Sequence, residues 1–128
     1  MTAATEIVTG VDFVTIPTQD LDAAVEFYGT MLGLERSVYR PERNFAEFET
    51  GTVTLSVVVA EKMGFPFVPT SNPLALHVDD VEAARATLES RGVQFNGDVL
   101  DTGVCHMAFF RDPDGNQLML HRRYAPRD

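Results

Sequence analysis

A chain of 128 residues is long enough for one domain or two small halves, and a chain of this length buries roughly two thirds of its unfolded surface. Its 45% apolar and 23% charged residues, with no low-complexity tract, exclude a disordered segment. A net charge of −9 without a basic stripe argues against nucleic acid as a partner, and no apolar run is long enough to cross a membrane.

The lone Cys105 cannot form an internal disulfide, and residues 1–5 lack the charged start of a secretory leader, so a cytoplasmic location is expected. Residues 11–16, Val-Asp-Phe-Val-Thr-Ile, alternate with period two and predict a first strand ending at Pro17. A helix follows. Leu21, Ala24, Val25, Tyr28 and Leu32 form one apolar stripe from an Asp20 N-cap to Gly33 at the C-terminal cap. Strands are predicted over 34–40, 45–49 and 53–59, the last two joined by a tight turn at Thr50 and Gly51. Residues 61–72, with Gly64, Pro66 and Pro69, read as a linker, in which Met63, Phe65 and Phe67 are expected to pack on the domain edge.

The plan then repeats. Residues 74–78 predict a strand, Asp79 and Glu82 have the spacing of a capping box, and a second helix runs to Arg91-Gly92 before a strand at 93–95. Asp112-Pro113-Asp114-Gly115-Asn116 suits a type I turn with a glycine bulge, which sets Phe109 beside Met119 and Phe110 beside Leu118. The whole chain is expected to be one domain of two βαβββ halves, about 11–60 and 73–123. The class is α+β, with curved mixed sheets that have helices on the outer face and concave clefts opposite.

Alternation sorts the strand residues by face. Val14, Ile16, Leu55, Val57, Leu74, Leu76, Val78, Ala108, Phe110, Leu118 and Leu120 form the uniformly apolar sets that helices must cover. The opposite faces carry Phe13, Thr15, Ser56, Ala75, His77, Cys105, Met107, Phe109, Met119 and His121, joined by Phe45 and Glu47 through the turn register. Apolar walls with a few polar points suit a small-molecule pocket, and equally an interface or a filled core. Neighbouring Cys105 and His106 point to opposite faces, which argues against a thiolate pair. In an antiparallel pairing, His77 and His121 would lie at opposite ends of their sheet, about 20 Å apart.

Residues 20–28, Asp-Leu-Asp-Ala-Ala-Val-Glu-Phe-Tyr, with Leu32-Gly33-Leu34 and the Phe110 to Asn116 segment, make the chain resemble the vicinal oxygen chelate superfamily. That group includes glyoxalase I, extradiol dioxygenases, fosfomycin-modifying enzymes and bleomycin-resistance binding proteins. The resemblance implies a tandem βαβββ fold and a homodimer whose subunits share a cavity. Metal-dependent members carry a His, Gln or Glu on each of four strands, and those positions align with Phe13, Ser56 (or Leu55), Pro73 and Met119. Phenyl, prolyl and thioether groups offer a hard or borderline cation no suitable donor, so the family metal is expected to be absent, with no cofactor in its place.

The reading that follows is a metal-independent protein binding a small, largely apolar organic molecule, for sequestration or resistance. Phe13, Phe45, Met107, Phe109 and Met119 would form its walls, and Glu47, Ser56 and His121 would orient the ligand. The alternative is an enzyme of the same superfamily, a lyase, isomerase or dioxygenase-like protein. It would be either metal-free, with Glu47 or His121 carrying the proton, or provided with a relocated metal site, including one composed across a dimer.

Overall fold

The computed structural model describes residues 6–127. The first half contains β1 (Phe13–Thr18), α1 (Leu21–Val25), β2 (Glu35–Arg40), β3 (Phe45–Glu49) and β4 (Thr54–Val59). The second contains β5 (Leu74–His77), α2 (Val81–Ser90), β6 (Phe95–Asp101), β7 (Cys105–Arg111) and β8 (Gln117–Arg123). Each half makes one four-stranded mixed sheet, ordered β1-β4-β3-β2 and β5-β8-β7-β6, with the outer pair parallel in each. The α+β repeat legible in the sequence is therefore the architecture observed.

Local differences have physical causes. β1 runs through Pro17 to Thr18 instead of stopping at the proline; β1 pairs on one side only, and an edge strand tolerates a residue without an N–H. The first helix is not regular to Gly33. It becomes π-helical over Glu26–Met31, with Leu32 N–H donating to the Phe27 carbonyl five residues back at 2.9 Å, and Gly33 then takes φ 76° to end it. The β3–β4 connection is longer than a two-residue turn, since Glu49 pairs with Thr54 and not Thr52. Because this correction is two residues, side-chain parity survives, and Phe45 and Glu47 stay on the face of Ser56. The α2 N-cap is Asp80, not Asp79: its carboxylate accepts from Ala83 N–H at 3.0 Å, as Asp20 does from Ala23 at 3.1 Å. The strand predicted at 93–95 begins only at Phe95 and continues to Asp101.

The helix-covered faces are the apolar sets expected. Ile16, Leu55, Val57, Ala108, Phe110, Leu118 and Leu120 are buried with Ala24, Phe27, Tyr28, Val81 and Leu88 in one cluster that spans both halves. Phe27 of the π-helical turn reaches Phe110 of β7, ring centroids 6.3 Å apart, so the halves share a core. The linker packs only in part as expected: Met63 and Phe65 are exposed, whereas Phe67 is half-buried. No helix among the described residues is long and apolar enough to cross a membrane.

Candidate functional site

The motifs that carried the family resemblance meet in a buried hydrogen-bond network between the halves. Tyr28 Oη donates to Asp112 Oδ2 at 2.6 Å, and Asn116 Nδ2 donates to the same oxygen at 2.7 Å and to the Pro17 carbonyl at 2.8 Å. Asp112 Oδ1 accepts the backbone N–H groups of Asp114 and Asn116, both at 2.9 Å, which fixes the hairpin. Asp114 in turn accepts from Thr18 Oγ1 and from Gln19 N–H. Burial, and then the Asp112 carboxylate, push the Tyr28 hydroxyl far above the ordinary phenol range. This tyrosine is core, as its place on the helix stripe implied, and it is fully buried. The motif residues thus hold the two halves together.

On the face of the first sheet opposite α1, three rows cross the strands: Phe13–Thr54–Glu49, Thr15–Ser56–Glu47 and Pro17–Val58–Phe45. Glu47 therefore lies directly against Ser56, while Phe13 and Phe45 stand a row away on opposite sides. Phe13 is 54% exposed and Ser56 is buried. Met119 belongs to the other sheet and so does not share these rows with Phe13 and Phe45. Glu49, missed in the sequence although it shares the parity of Glu47, accepts from Ser37 Oγ and from Thr54 Oγ1. The two hydroxyls hold its carboxyl below the ordinary range.

The second sheet carries the rows Phe109–Met119–Ala75 and Met107–His121–His77 on its open face. Met107, Phe109, Met119 and His121 form one contiguous block. The expected separation of His77 and His121 is wrong. β5 and β8 are parallel, not antiparallel, and the register sets these residues side by side. His106 turns to the other face, 3.4 Å from Asp101 and stacked on Tyr124, while Cys105 is buried, so the two make no thiolate pair.

The four positions at which metal-dependent relatives place ligands keep their symmetry. Val14 pairs with Leu55 as Leu74 pairs with Leu118, which makes Phe13 equivalent to Pro73 and Ser56 to Met119. One hydroxyl and one thioether on separate sheets do not fit a divalent cation. Among the described residues no three His, Cys, Asp or Glu side chains gather as a metal cluster.

A cleft of about 620 Å³ lies elsewhere, lined by α2, β5 and the 50–53 loop. Its walls include Val14, Leu34, Leu55, Leu76, Leu88 and Leu120 from the helix-covered faces, and none of the eight candidate ligand residues lines it. Thr50, Thr52, His77, Thr87 and Arg91 are the polar points in this otherwise apolar cleft.

Residues 10–120 match the model of the Glyoxalase/Bleomycin resistance protein/Dioxygenase superfamily, and the chain belongs to that family. It is similar to TnmS3, an antibiotic binding protein from Streptomyces sp. CB03234, at 26% identity and TM-score 0.77, covering 92% of this chain and 98% of that one. A superfamily member from Sphaerobacter thermophilus DSM 20745 is 25% identical, TM-score 0.76, with 89% and 97% covered. A glyoxalase family protein from Bacillus anthracis, at 20% identity and TM-score 0.78 over 92% and 98%, shares the fold. No curated protein matches the chain.

Proposed function

We propose that this protein binds a small, largely apolar organic molecule on the open faces of its sheets, without the divalent metal of its catalytic relatives, for sequestration or resistance. The observation that carries this reading is the block of Met107, Phe109, Met119 and His121. It is a half-buried apolar wall with one polar corner, on a face that no helix covers. Phe13, Phe45, Glu47 and Ser56 supply the matching surface of the first sheet. A second copy of the chain would close the two faces over the ligand, as a homodimer, and burial of the half-exposed Phe13 favours that closure. The likeness to an antibiotic binding protein supports the same reading. A reducing cytoplasm suits it, since Cys105 is unpaired.

The test is titration with a set of apolar and cationic organic compounds in the presence of a metal chelator, read by melting temperature and tyrosine fluorescence. Binding should raise the melting temperature, and Phe109→Ala should weaken it about tenfold, in line with losing one buried aromatic contact. If no compound shifts either signal, the binding role is abandoned. Glu47 beside Ser56 supports a second reading, a metal-free lyase or isomerase in which this carboxylate carries the proton. Turnover abolished by Glu47→Gln in a protein that melts normally would favour it.

A further inference from the structure

The corrected pairing of β5 with β8 brings together three side chains with metal-binding chemistry. His77 pairs with His121, and His121 with Met107, in a straight row across β5, β8 and β7. All three point away from the helices, because their strand neighbours Leu76, Leu120 and Ala108 pack in the core. Adjacent strands lie about 4.8 Å apart. Imidazole nitrogens bind a metal at about 2 Å, so rings on neighbouring strands can converge on one ion. His77 Nε2 lies 3.4 Å from Asp79 Oδ1. A carboxylate at one ring nitrogen fixes the tautomer and leaves the other, Nδ1, as the donor.

The third donor decides the metal. A thioether is soft, and with two imidazoles it suits copper(I) and offers nothing to magnesium, calcium or manganese. The equivalent row of the first half is Pro17, Val58 and Phe45, which has no donor, so the row is particular to the second half. The His77 side chain is 65% exposed, which leaves the row open to an incoming ion.

We propose that His77, His121 and Met107 form a copper(I) site. It lies one row along β8 from Met119 and uses none of the four positions at which metal-dependent relatives bind. It does not depend on the organic ligand proposed above, although Met107 and His121 border both; His77 lies outside that ligand block and also lines the cleft of about 620 Å³ beside α2.

The test is anaerobic titration of the full chain with copper(I) against a chromophoric copper(I) chelator. One equivalent should be retained. His77→Ala should weaken retention about 100-fold, and Met107→Leu about tenfold while leaving zinc affinity unchanged, the pattern expected when a soft donor selects the softer ion. Melting temperatures near wild type for both variants exclude misfolding. The proposal is overturned if the chelator strips all copper, if His77→Ala or Met107→Leu binds like wild type, or if Cys105→Ser removes the copper while His77→Ala keeps it. Organic-ligand binding is measured separately with metal chelated, so failure of either proposal leaves the other readable.

Discussion

Replacing Tyr28 with Phe probes the junction on which the alignment of the halves rests. The substitution keeps the ring contacts with Phe27 at 5.1 Å and Phe48 at 6.0 Å, and removes only the hydroxyl that donates to Asp112 at 2.6 Å. A hydrogen bond to a charged group is worth about 1.5–3 kcal/mol. Asp112 keeps Asn116 Nδ2 and two backbone donors, so the loss should fall near the middle, about 2 kcal/mol. For a chain of this size that corresponds to about 8 °C in melting temperature. Urea unfolding of Tyr28→Phe and wild type, followed by far-UV circular dichroism, measures it directly.

The same hydroxyl predicts a pH dependence. In the unfolded chain a tyrosine titrates near pH 10, and in the folded protein burial and Asp112 raise Tyr28 well above that. The folded value is the higher one, so this contribution is complete below about pH 10 and is lost as the pH rises beyond it. Wild type should lose stability above pH 10 more steeply than Tyr28→Phe. A variant melting within about 1 °C of wild type, with an identical alkaline limb, would refute the reasoning, since about 2 kcal/mol cannot vanish into so small a shift.

Gly115 adopts φ 91°, and a Cβ there would meet only Pro69 Cβ at 3.8 Å, so Gly115→Ala should cost about 1–2 kcal/mol from backbone strain alone, read by urea unfolding. Phe110→Ala empties the centre of the shared core, where Phe110 packs on Phe95 at 4.9 Å and on Phe27, and should cost about 3–5 kcal/mol or leave no cooperative melt. Asp80→Ala removes the α2 cap and should cost about 1 kcal/mol in thermal unfolding. On the acid side, Glu49 is held below the ordinary carboxylate range by Ser37 and then Thr54, and Asp101 by the Gly103 N–H and then Tyr124. Their stabilisation is present above the ordinary carboxylate pKa and is lost as pH falls through the depressed values. Glu49→Gln should therefore flatten the acid limb of a melting-temperature profile measured from pH 6 to pH 2.

Much of the molecule was legible in local pattern. Period-two alternation identified Leu55, Val57, Leu118 and Leu120 as core, and the Asp-Pro-Asp-Gly-Asn segment carried its own turn chemistry, so the β7–β8 register followed from the residues. These features depend on backbone geometry and hydrophobic burial within a few residues, which a sequence states directly. The parity of Phe45 and Glu47 survived even a misjudged loop, because a shift of two residues leaves a strand's faces unchanged.

Pairing between strands distant in the chain was not legible. β5 and β8 lie some 40 residues apart, and nothing local distinguishes parallel from antiparallel neighbours, so His77 and His121 appeared remote and their row with Met107 stayed hidden. The latch of Tyr28, Asp112 and Asn116 was equally invisible: each residue had a complete local explanation, as helix stripe or turn former, and only the folded core brings their polar atoms within 2.7 Å. Short-range geometry was written in the order of residues, whereas contacts across 40 to 99 positions are set by how the two sheets close around a common interior.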